Sequence, residues 1–200
     1  MFRYEIINAL IKKYDFKSYL EIGVQHGSNY KAIECGDKWG VDPNPRCDDA
    51  SIRVMGSDDF FKTNQKTFDI IFIDGLHHAD QVLRDIDNSL RFLNKGGFVV
   101  LHDCNPIAKE NQTIPFAGQH FWNGDVWKAF IIAGQHYPYE MFTIDTDHGI
   151  GIINTRKEVE LEDHEPLTIE ELHYEDLEKF REEWLNLKDV QYFNDFMGEK

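Results

Sequence analysis

Residues 18–29, SYLEIGVQHGSN, constrain the fold more than any other stretch of the 200-residue chain. Tyr19, Leu20 and Ile22 form a short apolar run that favours a β-strand, and Gly23 lets the backbone turn sharply after it. Gly27 follows four residues later, ahead of a segment, 28–35, that reads as a helix with Ser28 as its N-cap. A strand, a glycine-bearing turn and a helix N-terminus, in that order, hold nucleotides and similar ligands in α/β proteins. The spacing is Glu-x-Gly-x-x-x-Gly, with Gln25 where a dinucleotide fingerprint has its second glycine. Glu21 adds an acceptor on the strand itself, suited to a ligand with an amino group or hydroxyls.

The rest of the chain alternates in the same way. Phe2, Ile6, Ile7, Leu10 and Ile11 fall at helical spacing before the first strand. A second strand over 38–41 ends at Asp42, where Pro43, Asn44 and Pro45 stop it. A third, over 51–55, is closed by Gly56-Ser57-Asp58-Asp59 and followed by a short helix. FDIIFI, residues 68–73, is the near-continuous apolar run expected of a central parallel strand, and it stops at Asp74-Gly75. Val82, Ile86, Leu90 and Leu93 predict a helix over 78–93, ended by Asn94-Lys95-Gly96-Gly97. A buried strand over 98–101 stops at His102-Asp103. After an aperiodic loop over 105–123 comes a helix over 125–133, then strand-like runs over 139–144 and 150–154. Residues 145–149 are too few for a crossover helix, so that last pair is antiparallel. Strands alternating with helices give an α/β class with a mostly parallel sheet over 1–155. An acidic helical C-terminal extension, 156–200, carries Leu172, Leu177, Phe180, Trp184, Leu185 and Leu187, and the Phe180–Trp184 stripe suits core packing or a contact in a homo-oligomer.

A formal net charge of −15 argues against sequence-independent binding to nucleic acid or an anionic membrane, both of which need a basic face. It leaves a small-molecule partner as the expectation. Cys35, Cys47 and Cys104 contain no CxxC and form no disulfide framework, which fits a reducing compartment. The first sixteen residues are too interrupted by charge for a signal peptide, and no apolar run reaches transmembrane length. The expected location is cytoplasmic.

Asp42 stands about twenty residues after the first glycine turn, the position from which an acid accepts from both hydroxyls of a ribose. Capping of the turn before Pro43 explains it equally well alone; with Glu21-x-Gly23 and the closing hairpin, the ribose role is favoured. The pieces YLEIGVQHGSN, WGVDPNP, VMGSDDFF, FDIIFIDGLHH and LNKGGFVVLHDC, followed by that hairpin, together resemble the class I S-adenosylmethionine-dependent methyltransferases over residues 17–155. Residues 68–106 are most similar to the branch with small-molecule and sugar O-methyltransferases of the macrolide type. The resemblance implies a Rossmann-like sandwich with a seven-stranded sheet and S-adenosyl-L-methionine as cofactor. It implies Glu21, Gly23 and Gly27 at the methionine end, Asp42 at the ribose, and Ser57 and Asp58 at the adenine. Gln25 departs from the family's glycine, which makes Gln25 and His26 candidate ligand contacts or steric limits.

Methyl transfer from a sulfonium needs alignment of donor and acceptor and removal of the acceptor's proton. Asp74 ends the fourth strand and His102-Asp103 end the fifth; as neighbours these place three polar side chains on the C-terminal rim where open α/β sheets bind ligands. Asp74 and Asp103, with His102, His77 or His78 as a third ligand, can hold Mg²⁺ or another divalent metal that clamps acceptor hydroxyls. In the metal-dependent branch the resemblance points to a histidine three residues after the first aspartate as base, which is His77 here. Each residue also has an ordinary explanation: His77 and His78 can cap the next helix, and Asp103 can bond the following loop. Cys104 lacks a thiolate-stabilising pattern and reads as a small rim residue. His120, Phe121, Trp122 and Trp127 form either an acceptor-binding lid or core closure. Asp145, Asp147 and His148 face the site or serve the turn.

The expected activity is therefore O-methylation of a small polar acceptor such as a sugar or glycoside. Its rivals are an NAD(P)-dependent oxidoreductase, a metal-dependent hydrolase using the Asp/His rim, and a non-catalytic cofactor-binding protein.

Overall fold

A computed structural model describes residues 1–161 and 165–198. In chain order the elements are α1 (Arg3–Tyr14), β1 (Ser18–Ile22), α2 (Ser28–Ala32), β2 (Asp37–Asp42), β3 (Ile52–Val54), α3 (Ser57–Thr63), β4 (Phe68–Ile73), α4 (Ala79–Arg91) and β5 (Leu93–Leu101). They continue with α5 (Val126–His136), β6 (Tyr139–Ile144), β7 (Ile150–Glu158), α6 (Tyr174–Trp184), β8 (Leu187–Lys188) and α7 (Val190–Gly198).

One sheet runs in the order β3-β2-β1-β4-β5-β7-β6-β8. The first five strands are parallel, and β7 is antiparallel to both β5 and β6. The seven expected strands are present; an eighth, the two-residue β8, adds in parallel to the edge at β6. Every residue of β1 is buried, and β4 is buried except at Asp69, as a sheet covered on both faces requires. In β4, Ile70 and Phe72 point to the face covered by α1, α2 and α7. Ile71 and Ile73 point to the face covered by α3, α4, α5 and α6.

The C-terminal segment packs on both faces. Leu172, Leu177 and Leu185 enter one core cluster and Phe193 the other. No helix among the described residues is long and apolar enough to cross a membrane.

Three local expectations are corrected. Gly27, not Ser28, occupies the N-cap of α2, in the left-handed region at φ 71°. α4 stops at Arg91, and β5 begins at Leu93, so Asn94–Gly97 lies within a strand. The reason is tertiary: Phe68 pairs with Leu93 across a register shift, so those glycines serve an irregular strand edge and not a helix cap. Cys104 is fully buried in the core beside Gly151 and is not a rim residue.

The C-terminal ends of β1 and β4 approach closely because Gly23 adopts φ +88°, where a Cβ would fall on the Asp74 carbonyl group. Gly23 donates its N–H to the Val41 carbonyl at 2.8 Å, and Asp74 donates its own to the Ile22 carbonyl at 2.8 Å. Left-handed strain and a backbone clash act together at this position. Gly23→Ala is expected to lower unfolding free energy by about 2 kcal/mol or more in urea titration. A loss below about 0.5 kcal/mol would show that the turn relaxes freely.

Candidate active site

The strand ends open into a cavity of about 940 Å³, walled by the last residues of β1 and β2 and by the segments that follow β1, β2, β4 and β5. That volume falls within the range of small-molecule sites. A smaller cleft of about 550 Å³ beneath Trp39 contains none of the strand-end acids.

At one end the wall is built on β1. Glu21 is almost fully buried; its Oε2 accepts from the Tyr19 hydroxyl and, at 2.8 Å, from Asn29 Nδ2. Burial raises its carboxyl to about 7, with the two donors opposing that shift and the nearby Asp74 charge adding to it. Beyond Gly23, Gln25 sits in the left-handed region at φ 46°, which explains why glycine suits this position. Asp42 holds it there: Oδ2 accepts the Gln25 N–H at 2.8 Å, and Oδ1 accepts the Asn44 N–H at 2.7 Å. The turn-capping role of Asp42 is therefore real, and each oxygen keeps lone-pair capacity towards the cavity. Gln25 and His26 are exposed on the cavity wall. Gly27 is not part of it: it is buried, and a Cβ there would meet Cys47 Sγ. Its glycine serves the helix cap and this packing.

Farther along, Ser57 and Asp58 open α3 and line the cavity beside Gln81 and Asp85 of α4. Gln81 Nε2 donates to Asp85 Oδ1 at 3.1 Å and lies 3.3 Å from both Ser57 Oγ and Asp58 Oδ1. Burial pushes the Asp85 carboxyl up to about 6 against its hydrogen bonds from Ser57 and Gln81. Neither Gln81 nor Asp85 is among the expected site residues. The signal was available, since Asp85 lies beside Ile86 and three residues after Val82, on the apolar face of its helix.

At the reacting end, Asp74, His77, His102 and Asp103 converge. His77 Nε2 is 3.4 Å from Asp74 Oδ1, and Nδ1 is 3.5 Å from Asp103 Oδ2. His102 Nδ1 is 2.7 Å from Asp103 Oδ2 and 3.2 Å from Asp74 Oδ1. This nitrogen is buried, and among the described residues no partner is aligned for a well-formed hydrogen bond to it, although both carboxylates are close. One ligand atom each from Asp74, His102 and Asp103 lie within 4.8 Å of one another. Asp103 adopts φ 63°, an unusual conformation for a buried non-glycine residue.

Burial disfavours charge on these groups, but their mutual attraction exceeds it. His102 and His77 hold the Asp74 carboxyl well below its usual range, and the acids raise both imidazoles. Asp147 joins from the β6–β7 turn, with Oδ1 3.7 Å from His102 Nε2, while Asp145 instead accepts from Asn105 Nδ2 at 2.9 Å. His148 is exposed and meets the His102 ring edge-on.

The long loop divides between the two roles considered for it. Trp122 lines the cavity and stacks on His77, with ring centroids 5.1 Å apart, whereas Trp127 is fully buried core. Gly124, at φ +60°, lets that loop pass against the His77 backbone. His78 is the N-cap residue of α4, edge-on to Trp122, and among the described residues it is not part of the Asp74–His102–Asp103 cluster. Arg3, from the start of α1, was not foreseen. Its guanidinium contacts His102 Nε2 and lies 3.9 Å from Asp74 and 3.8 Å from Asp147.

Residues 37–104 match the model of a family described as "Methyltransferase domain". Among solved structures, the chain resembles the SAH-bound methyltransferase PaMTH1 of Podospora anserina, with a TM-score of 0.60 at 16% identity, covering 76% of this chain and 77% of that one. It also resembles the O-methyltransferase TomG of Streptomyces achromogenes in complex with SAM, with a TM-score of 0.55 at 14% identity and coverage of 76% and 78%. A third is the SAH complex of an O-methyltransferase from Bacillus cereus, with a TM-score of 0.53 at 11% identity and coverage of 76% and 80%. The fold is that of a class I methyltransferase. No curated protein matches the sequence significantly. Within the methyltransferase fold, the cavity described above lies where open α/β sheets bind ligands, at the carboxyl ends of the strands.

Glu21 has a folded pKa of about 7 against an ordinary value of 4.5, so the native state holds its proton more tightly than the unfolded chain does. Its favourable contribution is full below about pH 4.5 and is lost as pH rises to 7. The loss is about 3 kcal/mol. Denaturant titrations of wild type and Glu21→Gln between pH 4.5 and 7.5 should show a smaller pH-dependent loss in the variant. Parallel curves would show that Glu21 does not titrate in this window.

Proposed function

We propose that the chain transfers a methyl group from S-adenosyl-L-methionine to a hydroxyl oxygen of a small polar acceptor such as a sugar or glycoside, assisted by a divalent ion such as Mg²⁺. The observation that carries this reading is the His77 imidazole, set between Asp74 and Asp103 on the wall of the cavity that begins at the Gly23 turn.

The residues fit the cofactor. Its ammonium, ribose hydroxyls and adenine amino group are all donors, and the cavity offers Glu21, Asp42 and Asp58 as acceptors. The side-chain-free turn at Gly23 admits a ligand close to the backbone. The residues fit a divalent ion as well: Asp74 and Asp103 supply hard oxygens, and His102 Nδ1 is buried without a hydrogen bond. When bound, S-adenosyl-L-methionine supplies an electrophilic methyl on a good leaving group, and the ion supplies Lewis acidity towards a hydroxyl.

The chain's own part is positioning and proton removal. The Trp122 carbonyl accepts from His77 Nδ1–H at 3.3 Å, which leaves the lone pair on Nε2. Nε2 takes the acceptor's hydroxyl proton, and Asp74 and Asp103 stabilise the imidazolium that results. The Trp122 ring fixes the imidazole plane and shields it from water.

The test is turnover on a panel of sugars and glycosides, reading methyl gain by mass spectrometry. His77→Gln should lower kcat by about 10²–10⁴-fold while S-adenosyl-L-methionine affinity stays within about threefold, because His77 approaches the acceptor side. An unchanged kcat would contradict the assignment of the base. A parallel loss of cofactor affinity would reassign His77 to the binding wall.

A further inference from the structure

Arg3 is the residue at the reacting end whose chemistry the proposed reaction does not use. Two further cations line the cavity, Arg46 and Lys62, and both are exposed. Arg3 is instead partly buried, and three of its contacts involve groups that hold or flank the candidate ion site. Nη1 contacts His102 Nε2 and lies 3.9 Å from Asp74 Oδ2 and 3.8 Å from Asp147 Oδ2. The backbone fixes this placement: the Arg3 N–H donates to Asp147 Oδ2 at 2.9 Å, and the Thr146 hydroxyl donates to the Met1 carbonyl at 2.7 Å. The turn carrying these partners has Asp147, His148 and Gly149 in succession at positive φ, so its shape is set by its own backbone and not by Arg3.

With carboxylates on two sides, this guanidinium is already engaged, which argues against a role in gripping an anionic acceptor. Its contact with His102 has a different consequence. Arg3 occupies the Nε2 edge of the imidazole. The opposite nitrogen, Nδ1, faces Asp74 and Asp103 and would serve as metal ligand through its lone pair. A neutral His102 coordinating through Nδ1 bears its hydrogen on Nε2, facing the Arg3 donor. The two arrangements exclude each other.

We propose that Arg3 is an intramolecular competitor for the cation site, so that the guanidinium and a divalent ion are alternative partners of Asp74 and His102, and ion binding releases the Arg3 side chain. The inference rests on the metal-assisted form of the methyl-transfer reading, and it makes the first turn of α1 a determinant of metal affinity.

The experiment is a calorimetric titration of Mn²⁺ into wild type, Arg3→Gln and Lys62→Gln, each checked by thermal melting. Lys62→Gln removes the same charge from an exposed position on the cavity wall, so it measures the general field effect. Arg3→Gln should bind Mn²⁺ at least tenfold more tightly than wild type, while Lys62→Gln stays within twofold. In wild type, saturating Mg²⁺ should move the Arg3 guanidinium NMR signals, assigned by their loss in Arg3→Gln, to the position of a free arginine. This second reading stands even if Arg3→Gln fails to fold, with Arg3→Lys then used for assignment. Equal affinity in all three proteins, unmoved Arg3 signals at saturation, or no ion binding at all would each overturn the proposal. S-adenosyl-L-methionine titrated into the same samples separates the two claims. Cofactor binding without metal competition overturns only the role of Arg3, and metal competition without cofactor binding overturns only methyl transfer.

Discussion

Three carboxylates, from Asp74, Asp103 and Asp147, face one buried imidazole, that of His102, and the rest of the site is arranged around that excess of negative charge. Like charges this close, away from bulk water, disfavour one another by several kcal/mol unless a cation intervenes. Arg3 supplies one positive charge, and His77 and His102 gain basicity from the same acids. A sheet end that gathers acids in this way is prepared for a positively charged ligand. A sulfonium, an ammonium and a divalent ion all meet that description, so the proposed cofactor and the proposed ion share one electrostatic cause.

The backbone holds this arrangement at a cost. Gln25, Asp103, Asp147 and His148 all adopt positive φ without being glycine, and all lie in or beside the cavity. Such residues persist only where their surroundings fix them. Asp42 fixes Gln25 through its N–H, and the hairpin fixes Asp103, because Cys104 and Asn105 donate their N–H groups to the Gly149 and His148 carbonyls at 3.0 Å. Gln25, Asp103 and His148 are thus backed by hydrogen bonds at or beside neighbouring strand ends, and Asp147 by the Arg3 N–H at the start of α1.

Much of this was legible in the sequence because it is local. FDIIFI, its stop at Asp74 and the stop of β5 at His102-Asp103 define adjacent strand ends once the alternation of strands and helices is recognised. The five-residue hairpin junction likewise made the antiparallel finish certain on length alone. What was not legible depends on packing. Arg3 reaches His102 across 99 residues of sequence, and nothing in an amphipathic first helix marks its opening arginine as special. Aspartate is ordinary in a turn, so Asp147 carries no signal that separates it from Asp145 until the turn is folded. Gly27 is a related case: a glycine after a strand suggests ligand approach, and only the fold shows that it also satisfies a left-handed helix cap against Cys47.

Calorimetric titration of S-adenosyl-L-methionine into the whole chain, with Asp42→Ala alongside, tests whether the Gly23–Asp42 wall binds that cofactor. Wild type should bind with micromolar affinity, weakened in Asp42→Ala by about 1–3 kcal/mol, as for the loss of a charged hydrogen-bond acceptor. Absence of heat and of any thermal stabilisation, with or without Mg²⁺, would contradict it and leave the Asp/His rim to be read as a metal site of another chemistry.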